Sequence, residues 1–337
     1  MVKLFSLEVP GRWMAMLVVL MLMCAGGAVL WRFGVFHKEK QITIGIAQWV
    51  DNGEYRKNIA GFKSEMEKHG FIEGKNVRYL VEVAAADKTV QQGIMGKFDK
   101  ARVDLVYSLT TPGTIIAKDV LKKTPIVFSI VTYPVETGVI KDLSNSGCNA
   151  VGTRNYMSPS RQFYVFERIC SPVRRIAFVH RTDEPNSSIQ YNEFKAMLAK
   201  RGIEVVDVAA RDLADLRVKL SAVILSVDAV YSACDTLIQS GGEEIVIAIC
   251  KEHAKPGFTC NKDGVLKGAL VGNVADFTEI GKISGEKAAR ILSGAQPQWL
   301  RTESPRQDYV IINMKTAAEL HRTIPDDVLG MASEIVK

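Results

Sequence analysis

The sequence predicts an α/β protein with two doubly wound, parallel-sheet lobes after an N-terminal transmembrane or signal helix. From residue 41 onward, short apolar runs rich in β-branched residues alternate with amphipathic helical patterns. The alternation breaks in a small, polar stretch at residues 142–152 and then begins afresh, which indicates two lobes of similar size. Continuous apolar strands between helices are typical of parallel sheets that are buried on both faces.

The first forty residues predict a signal anchor or signal peptide with a basic spacer. Residues 13–31 carry no charge, and as a helix they would span roughly 30 Å, enough for a bilayer core. A tryptophan stands at each end, and Arg12 and Arg32 bracket the segment. We therefore expect an uncleaved anchor that tethers the chain to the inner membrane.

Two alternatives for this segment remain open. In a cleaved signal peptide, Ala25 and Gly27 would be the small residues before the cut. In a lipoprotein, Cys24 would be lipidated, although the large Met23 before it fits that site poorly. All three interpretations place residues 41–337 outside the cytoplasm, in the periplasm or its equivalent.

The alternating pattern after residue 41 defines the elements in order. Strands are predicted at residues 42–47, 77–83, 103–108, 126–130, 176–180, 204–208, 229–232 and 269–271. Helices are predicted at residues 55–69, 88–101, 113–122, 159–169, 187–201, 212–222, 237–253 and 277–293. Ser240-Gly241-Gly242 predicts a kink inside the seventh of these helices.

Composition excludes several classes of function. Hydrophobic residues make up 47% and charged residues 24% of the 337 residues, which excludes a disordered or collagen-like chain. The net charge of +6 is partly due to the first forty residues, and the remainder is too balanced for a nucleic-acid-binding surface. Five of the six cysteines lie beyond residue 40, and this odd number allows one disulfide whose partners the sequence does not reveal.

Polar side chains follow the predicted strands, where open α/β sheets bind ligands. The predicted ligand-binding residues are Gln48, Trp49, Ser108, Thr110, Thr111, Thr132, Asn186, Ser187, Asp235 and Asp276. The helix starts at Thr110-Thr111 and Asn186-Ser187 favour a carboxylate, and Asp235 could accept from an ammonium group. Trp49 offers an aromatic face. The set suits a zwitterion with an apolar side chain, although each residue before a helix could instead be an N-cap.

Enzyme and metal chemistry are not predicted. Cys250 and His253 have a spacing that can chelate, but Cys250 follows an apolar helical pattern that favours a buried thiol. The sequence lacks a nucleophile elbow and a phosphate-binding loop, and its five histidines are scattered. We therefore expect no catalytic residue, no metal and no cofactor.

Blocks along residues 41–337 resemble the substrate-binding proteins of ABC transporters, in the branch of tryptophan- and tyrosine-type binders. They include ITIGIAQWV, TPIVFSIVTYPVETGVI, EPNSSIQYNEFKAMLAKRGIEVV, VDAVYSACDT and GALVGNVADFTEIGKISGEKAARILSGAQP. The resemblance implies a type I periplasmic-binding-protein fold that closes two lobes on a small molecule, and it implies no catalysis. With three chain crossings, lobe 1 would hold residues 41–150 and 277–308, and lobe 2 residues 151–276 and 309–337.

Three positions depart from the pattern of this family. Tyr133 replaces an acidic residue, Thr236 follows Asp235 where the family often has asparagine, and Cys260-Asn261 replaces Ser-Asp. The resemblance therefore leaves the ligand open, with an aromatic or other apolar amino acid as the expectation. The implied partner is an ABC permease, and the protein is expected to be a monomer that binds no nucleic acid. The alternative is a sensor of the same fold that signals through a partner chain.

Overall fold

A computed structural model describes residues 41–337, together with Met16, Val19, Met21 and Met23. The chain divides into two units, residues 1–41 and residues 42–337. Met16, Val19, Met21 and Met23 are helical, and the rest of the predicted membrane segment lies outside the described residues. Within the described part of the chain, no helix combines the length and the hydropathy needed to cross a bilayer.

The second unit contains two sheets, one for each lobe. Its strands are β1 Ile42–Gln48, β2 Val77–Val83, β3 Leu105–Leu109, β4 Ile126–Ser129, β5 Ala150–Thr153, β6 Arg175–Arg181, β7 Glu204–Ala210, β8 Ala229–Ser232, β9 Gly257–Thr259, β10 Val271–Val274, β11 Tyr309–Asn313 and β12 Ala332–Val336. The lobe 1 sheet is parallel in the order β2-β1-β3-β4-β5. The lobe 2 sheet has the order β12-β11-β10-β9-β8-β6-β7, with only the β10–β11 pair antiparallel.

Helices cover these sheets. They are α1 Gly53–Lys68, α2 Lys88–Lys100, α3 Thr111–Val120, α4 Pro159–Cys170, α5 Pro185–Ala199, α6 Leu213–Val223, α7 Gly242–Glu252, α8 Lys262–Lys267, α9 Phe277–Leu292, α10 Met314–Glu319 and α11 Asp326–Met331. Each sheet packs its apolar side chains against helices, and each lobe has a core of its own. This layering follows from strands that are apolar on both faces.

Helix α9 follows a strand of lobe 2 but packs in lobe 1. It lies against α1 so closely that a Cβ atom on Gly281 would come within 2.0 Å of the Asn58 carbonyl oxygen. A Cβ atom on Gly61 would meet the Thr278 carbonyl oxygen at 2.3 Å. The chain therefore passes between the lobes three times, after β5, after β10 and before β11.

The eight predicted strands and eight predicted helices are present, but several short elements lie outside the prediction. Strand β5 lies at the end of the stretch interpreted as a break, and it pairs with β4 from Ala150 onward. The lobe boundary expected at residue 150 thus falls at the first residue of a lobe 1 strand. Four residues that include a glycine give too short a period-2 signal to be recognised. The kink at Gly241 is present, with φ 110° between a 3₁₀ turn and α7.

Candidate functional site

The cleft-facing edge of lobe 1 is formed where β1, β3 and β4 end. Thr110, directly after β3, has φ 71°, and Ile130, directly after β4, has φ 57°. Both are β-branched residues, for which this left-handed region is strained. The Thr110 N–H donates to the Ser129 carbonyl at 2.9 Å, which ties the two strand ends together. Strain of this kind persists where the surrounding structure enforces it, and it concentrates at functional sites.

Two buried oxygen atoms at this edge have no hydrogen-bond partner among the described residues: Gln48 Oε1 and Thr110 Oγ1. Burying a polar atom without a partner is costly, so each of these oxygens is available to a hydrogen bond from a ligand or a water molecule. Thr111 begins α3, so its N–H is one of the amide groups that a helix leaves unpaired. Lobe 1 thus presents neutral groups that can bind a polar ligand.

Two further predicted residues of lobe 1 support this edge from within. Ser108 Oγ accepts a hydrogen bond from Thr114 Oγ1 at 3.2 Å. Thr132 Oγ1 donates to Asn155 Oδ1 at 3.0 Å, which fixes the segment that crosses to lobe 2. These side chains hold the strand ends and the crossing segment in place.

The matching edge of lobe 2 carries a pair of buried carboxylates. Asp235, 2% exposed, follows β8 and accepts from the Arg181 N–H at 2.7 Å, the Ile238 N–H at 3.0 Å and Ser187 Oγ at 3.2 Å. Glu184, 5% exposed, is the N-cap residue of α5 and accepts from the Thr236 N–H and hydroxyl group. Both carboxylates are therefore held in fixed positions.

Burial raises the pKa of both carboxyl groups. For Glu184 the second cause is the negative charge of Asp235, and for Asp235 the hydrogen bonds to the carboxylate oppose the shift. The guanidinium group of Arg181 compensates only in part, because it pairs with Asp183 at 2.6 Å and lies 3.8 Å from Glu184. A ligand cation near the pair would be stabilised by the same charges.

The remaining groups of this edge surround the pair. Asn186 Nδ2 contacts the Cys234 carbonyl at 3.4 Å, and Asn186 Oδ1 has no partner in the described part of the chain. A disulfide joins Cys234, after β8, to Cys260, after β9, with their Cα atoms 5.9 Å apart. It braces the two loops of lobe 2 next to Asp235, and it supplies the pairing that the sequence left open.

The two lobes contact each other across this site. Tyr55 on α1 donates its hydroxyl to Gln239 Oε1 at 2.8 Å, and Asn52 Nδ2 lies 3.4 Å from the Gln239 carbonyl. Burial, and then the negative charges of Glu184 and Asp235, raise the pKa of the Tyr55 hydroxyl well above its usual value. These contacts define a closed arrangement of the lobes.

Two of the predicted site residues, Trp49 and Asp276, also have structural contacts within the protein. Trp49 is 3% exposed and packs in the lobe 1 core, and its indole N–H has no partner among the described residues. Asp276 is the N-cap of α9, accepting from the Thr278 and Glu279 amides at 2.8 and 3.1 Å. Asp276 also lines a separate cavity of about 600 Å³.

Glu184, Tyr55 and Gln239 belong to this arrangement but were not predicted. Glu184 could have been found, because it directly precedes Pro185, which lies two residues before the predicted helix at residues 187–201, and a proline commonly occupies the first position of a helix. Tyr55 and Gln239 carry no such local signal, since their contact joins segments 184 residues apart. Across the described residues, no group of acidic, histidine or cysteine side chains could hold a metal ion, and Cys250 is a buried thiol.

Two α/β lobes that meet over buried, partly unpaired polar groups define a bilobed solute-binding protein of the type I fold. The chain belongs to the ABC transporter substrate binding protein family, whose model matches residues 43–336. It is therefore a binding protein for a small molecule rather than an enzyme. Proteins of this family that serve importers act outside the cytoplasm, as the N-terminal segment led us to expect.

Individual relatives have the same architecture. A tyrosine-binding protein of Clostridioides difficile (strain R20291) is 28% identical over 298 residues, which cover 88% of this chain and 86% of that protein. An ABC domain from Streptococcus pneumonia, solved with L-Trp, superimposes with a TM-score of 0.84 at 24% identity, covering 88% of this chain and all of the other. A ligand-free, open substrate binding protein with adhesive properties from Clostridium difficile superimposes with a TM-score of 0.70 at 26% identity. The match covers 88% of this chain and 99% of that protein.

Proposed function

We propose that the protein binds an α-amino acid with an apolar, preferably aromatic, side chain and delivers it to an ABC permease. The observation that carries this proposal is the buried Glu184–Asp235 pair, which faces neutral, unpaired polar groups of lobe 1. A ligand ammonium group would offset two buried negative charges that Arg181 offsets only in part. The tyrosine-binding relative supports this choice of ligand.

The proposed site divides the ligand between the lobes. The ammonium group binds Glu184 and Asp235, with Asn186 and Ser187 beside them. The carboxylate binds the N-terminus of α3 at Thr110 and Thr111, where amide N–H groups and the helix dipole favour an anion. Gln48 and Tyr55 bound the space between them, Trp49 offers its indole N–H, and Ser108 and Thr132 act as supports.

Delivery to the permease would follow from closure of the lobes around the ligand. The closed form presents the rims of both lobes as one surface that a transporter can recognise. An uncleaved anchor at residues 13–31 would keep this monomeric protein beside its permease in the inner membrane. Family membership favours this role over that of a sensor with a separate signalling partner.

A thermal-shift screen of the full chain in detergent tests the proposal. The panel contains L-tyrosine, L-tryptophan, L-phenylalanine and L-leucine, with sugars and nucleosides as other classes. A ligand at about 100 times its dissociation constant stabilises the fold by about 2.7 kcal/mol, which is a readable shift. Shifts with amino acids alone support the proposal, and a shift only with a sugar or nucleoside contradicts it.

A further inference from the structure

A second contact between the lobes centres on one carboxylate, that of Glu193 on α5. The Tyr133 hydroxyl, which follows β4 in lobe 1, donates to Glu193 Oε2 at 2.6 Å. The Tyr156 hydroxyl, in the segment that crosses from β5 to α4, donates to Glu193 Oε1 at 2.7 Å. Each oxygen of this carboxylate thus accepts a hydrogen bond from a tyrosine hydroxyl, one in lobe 1 and one in the segment between the lobes.

The two phenols are held in place by their own packing. Their rings meet edge to face, with centroids 5.5 Å apart and an interplanar angle of 75°. The Arg154 guanidinium lies over the Tyr156 ring, with its carbon 4.3 Å from the ring centroid. Burial and the charge of Glu193 raise the pKa of Tyr133, so its phenol stays protonated and remains a donor.

These groups lie next to open space rather than in a dry core. A cavity of about 570 Å³ is lined by Tyr133, Arg154, Tyr156 and Glu193. Water can therefore replace the phenols on the carboxylate when the lobes separate. The contact is thus compatible with opening and closing, unlike an apolar contact packed on all sides.

We propose that Glu193 is a latch: it stabilises the closed lobes by accepting the hydroxyl of Tyr133 across the cleft, while Tyr156 orients its carboxylate. This inference rests on the proposed function, because it assigns a role in retaining the bound solute. Tyr133 and Glu193 belong to different lobes, and in this proposal their hydrogen bond breaks when the lobes separate. A contact confined to the closed state raises the affinity for any ligand that requires closure.

The latch makes Tyr133 and Glu193 positioning residues rather than ligand contacts. Their loss should accelerate release of the solute and leave its capture almost unchanged, since capture begins in the open state. A residue that touches the ligand would instead alter the preference among ligands. The order of affinities within a series of amino acids therefore separates the two roles.

The test uses stopped-flow fluorescence on the full chain in detergent, with L-tyrosine and L-tryptophan as probes. The variants are Tyr133→Phe, Glu193→Gln and the double variant, and the controls are Tyr164→Phe and Glu252→Gln, which alter exposed residues. A hydrogen bond to a charged group predicts release that is about tenfold faster in each single variant. The double variant should release the ligand no faster than the faster of the two single variants, because both substitutions remove the same hydrogen bond. The controls should behave as the parent.

Release rates that equal the parent's, or effects that simply add in the double variant, overturn the latch. Altered preference between the two amino acids also overturns it in favour of a ligand contact. If the parent binds neither amino acid, the proposed function fails. Hydrogen exchange of the ligand-free chain then tests the latch independently of the proposed function. The peptide around Gln239 should then exchange faster in Glu193→Gln than in Glu252→Gln, and equal exchange overturns the latch.

Discussion

The two faces of the cleft differ in charge and in how their polar atoms are paired. Lobe 1 contributes the neutral groups of Gln48, Thr110 and Tyr55, two of which keep a buried oxygen without a partner in the described chain. Lobe 2 contributes the carboxyl groups of Glu184 and Asp235. Their oxygens accept several hydrogen bonds, and burial raises the pKa of both groups. Under the proposed function, this difference divides the roles of the lobes: lobe 2 would select a cation, and lobe 1 would complete the site around the rest of the ligand.

Neutralising the lobe 2 carboxylates should give the largest effect. Asp235→Asn and Glu184→Gln each remove one of two charges that face the ligand ammonium, and a buried charge pair broken on one side costs about 3–5 kcal/mol. Affinity for an amino acid should therefore fall more than a hundredfold in isothermal titration. Glu252→Gln, which neutralises an exposed carboxylate of lobe 2, is the matched control and should keep its affinity. If both carboxylate variants keep the affinity of the parent, Glu184 and Asp235 do not bind the ammonium group of the ligand.

Acidification should weaken binding progressively through the same two groups. Burial raises their pKa values in the ligand-free protein, whereas a bound ammonium favours the ionised forms and lowers those values. Binding should therefore release protons, and affinity should fall by up to about tenfold per pH unit for each proton released below the raised pKa. Titrations between pH 5 and pH 8 measure this dependence. An affinity that is constant over this range, with no proton release, would be incompatible with the pair as the ammonium site.

Changing the neutral face should have a smaller effect. Thr110→Ala removes one hydroxyl that has no partner within the described residues, and the loss of one hydrogen bond to a ligand carboxylate predicts roughly a tenfold lower affinity. The exposed Thr89→Ala serves as the control. The affinity for a des-carboxy amine should be the same in Thr110→Ala and the parent. An equal loss with that amine would show that Thr110 acts on the fold and not on the carboxylate.

The smallest effect on affinity is expected from a third buried acid of lobe 2, Glu243. Burial raises its pKa to about 7, and its Oε2 accepts from Thr259 Oγ1 at 3.1 Å and Asn261 Nδ2 at 3.0 Å. A carboxyl group whose pKa is raised by folding stabilises the fold below pH 4.5, and this contribution is lost as the pH rises through 7.

Glu243→Gln should therefore flatten the decline of the free energy of unfolding between pH 5 and pH 8, as measured by urea unfolding. Glu252→Gln, on the exposed end of the same helix, should leave the decline unchanged. Amino-acid affinity should change less in Glu243→Gln than in Glu184→Gln. The reverse order would mean that the charge selecting the ligand is that of Glu243 and not of the Glu184–Asp235 pair.

The sequence predicted elements best where the pattern was long and repetitive. Strands such as Arg175–Arg181 and helices such as Phe277–Leu292 were recognised because apolar residues recur with a clear period. Strands β5 and β9, of four and three residues, are too short for a period and depend on pairing with distant strands. Helix α9 packs with α1 through glycines whose significance appears only when the two helices meet.

The candidate site was predictable only where a residue follows its own strand. Asp235, Thr110 and Asn186 stand at strand ends or helix starts, which sequence patterns locate. The contact of Tyr55 with Gln239 and the contacts of Glu193 arise from closure of the lobes, and no local pattern encodes them. Asp276 has the same local signal as Asp235, and both carboxylates accept an amide N–H of the turn that follows them, so the local pattern does not separate binding from capping.

Calorimetric titration of the full chain with L-tyrosine and its des-amino analogue, 3-(4-hydroxyphenyl)propionate, tests the central claim most directly. Measurement in two buffers of different ionisation enthalpy gives the number of protons released. We expect L-tyrosine to bind with proton release and the des-amino analogue to bind at least a hundredfold more weakly. Equal affinity for the two compounds would contradict the assignment of Glu184 and Asp235 as the groups that select the ligand.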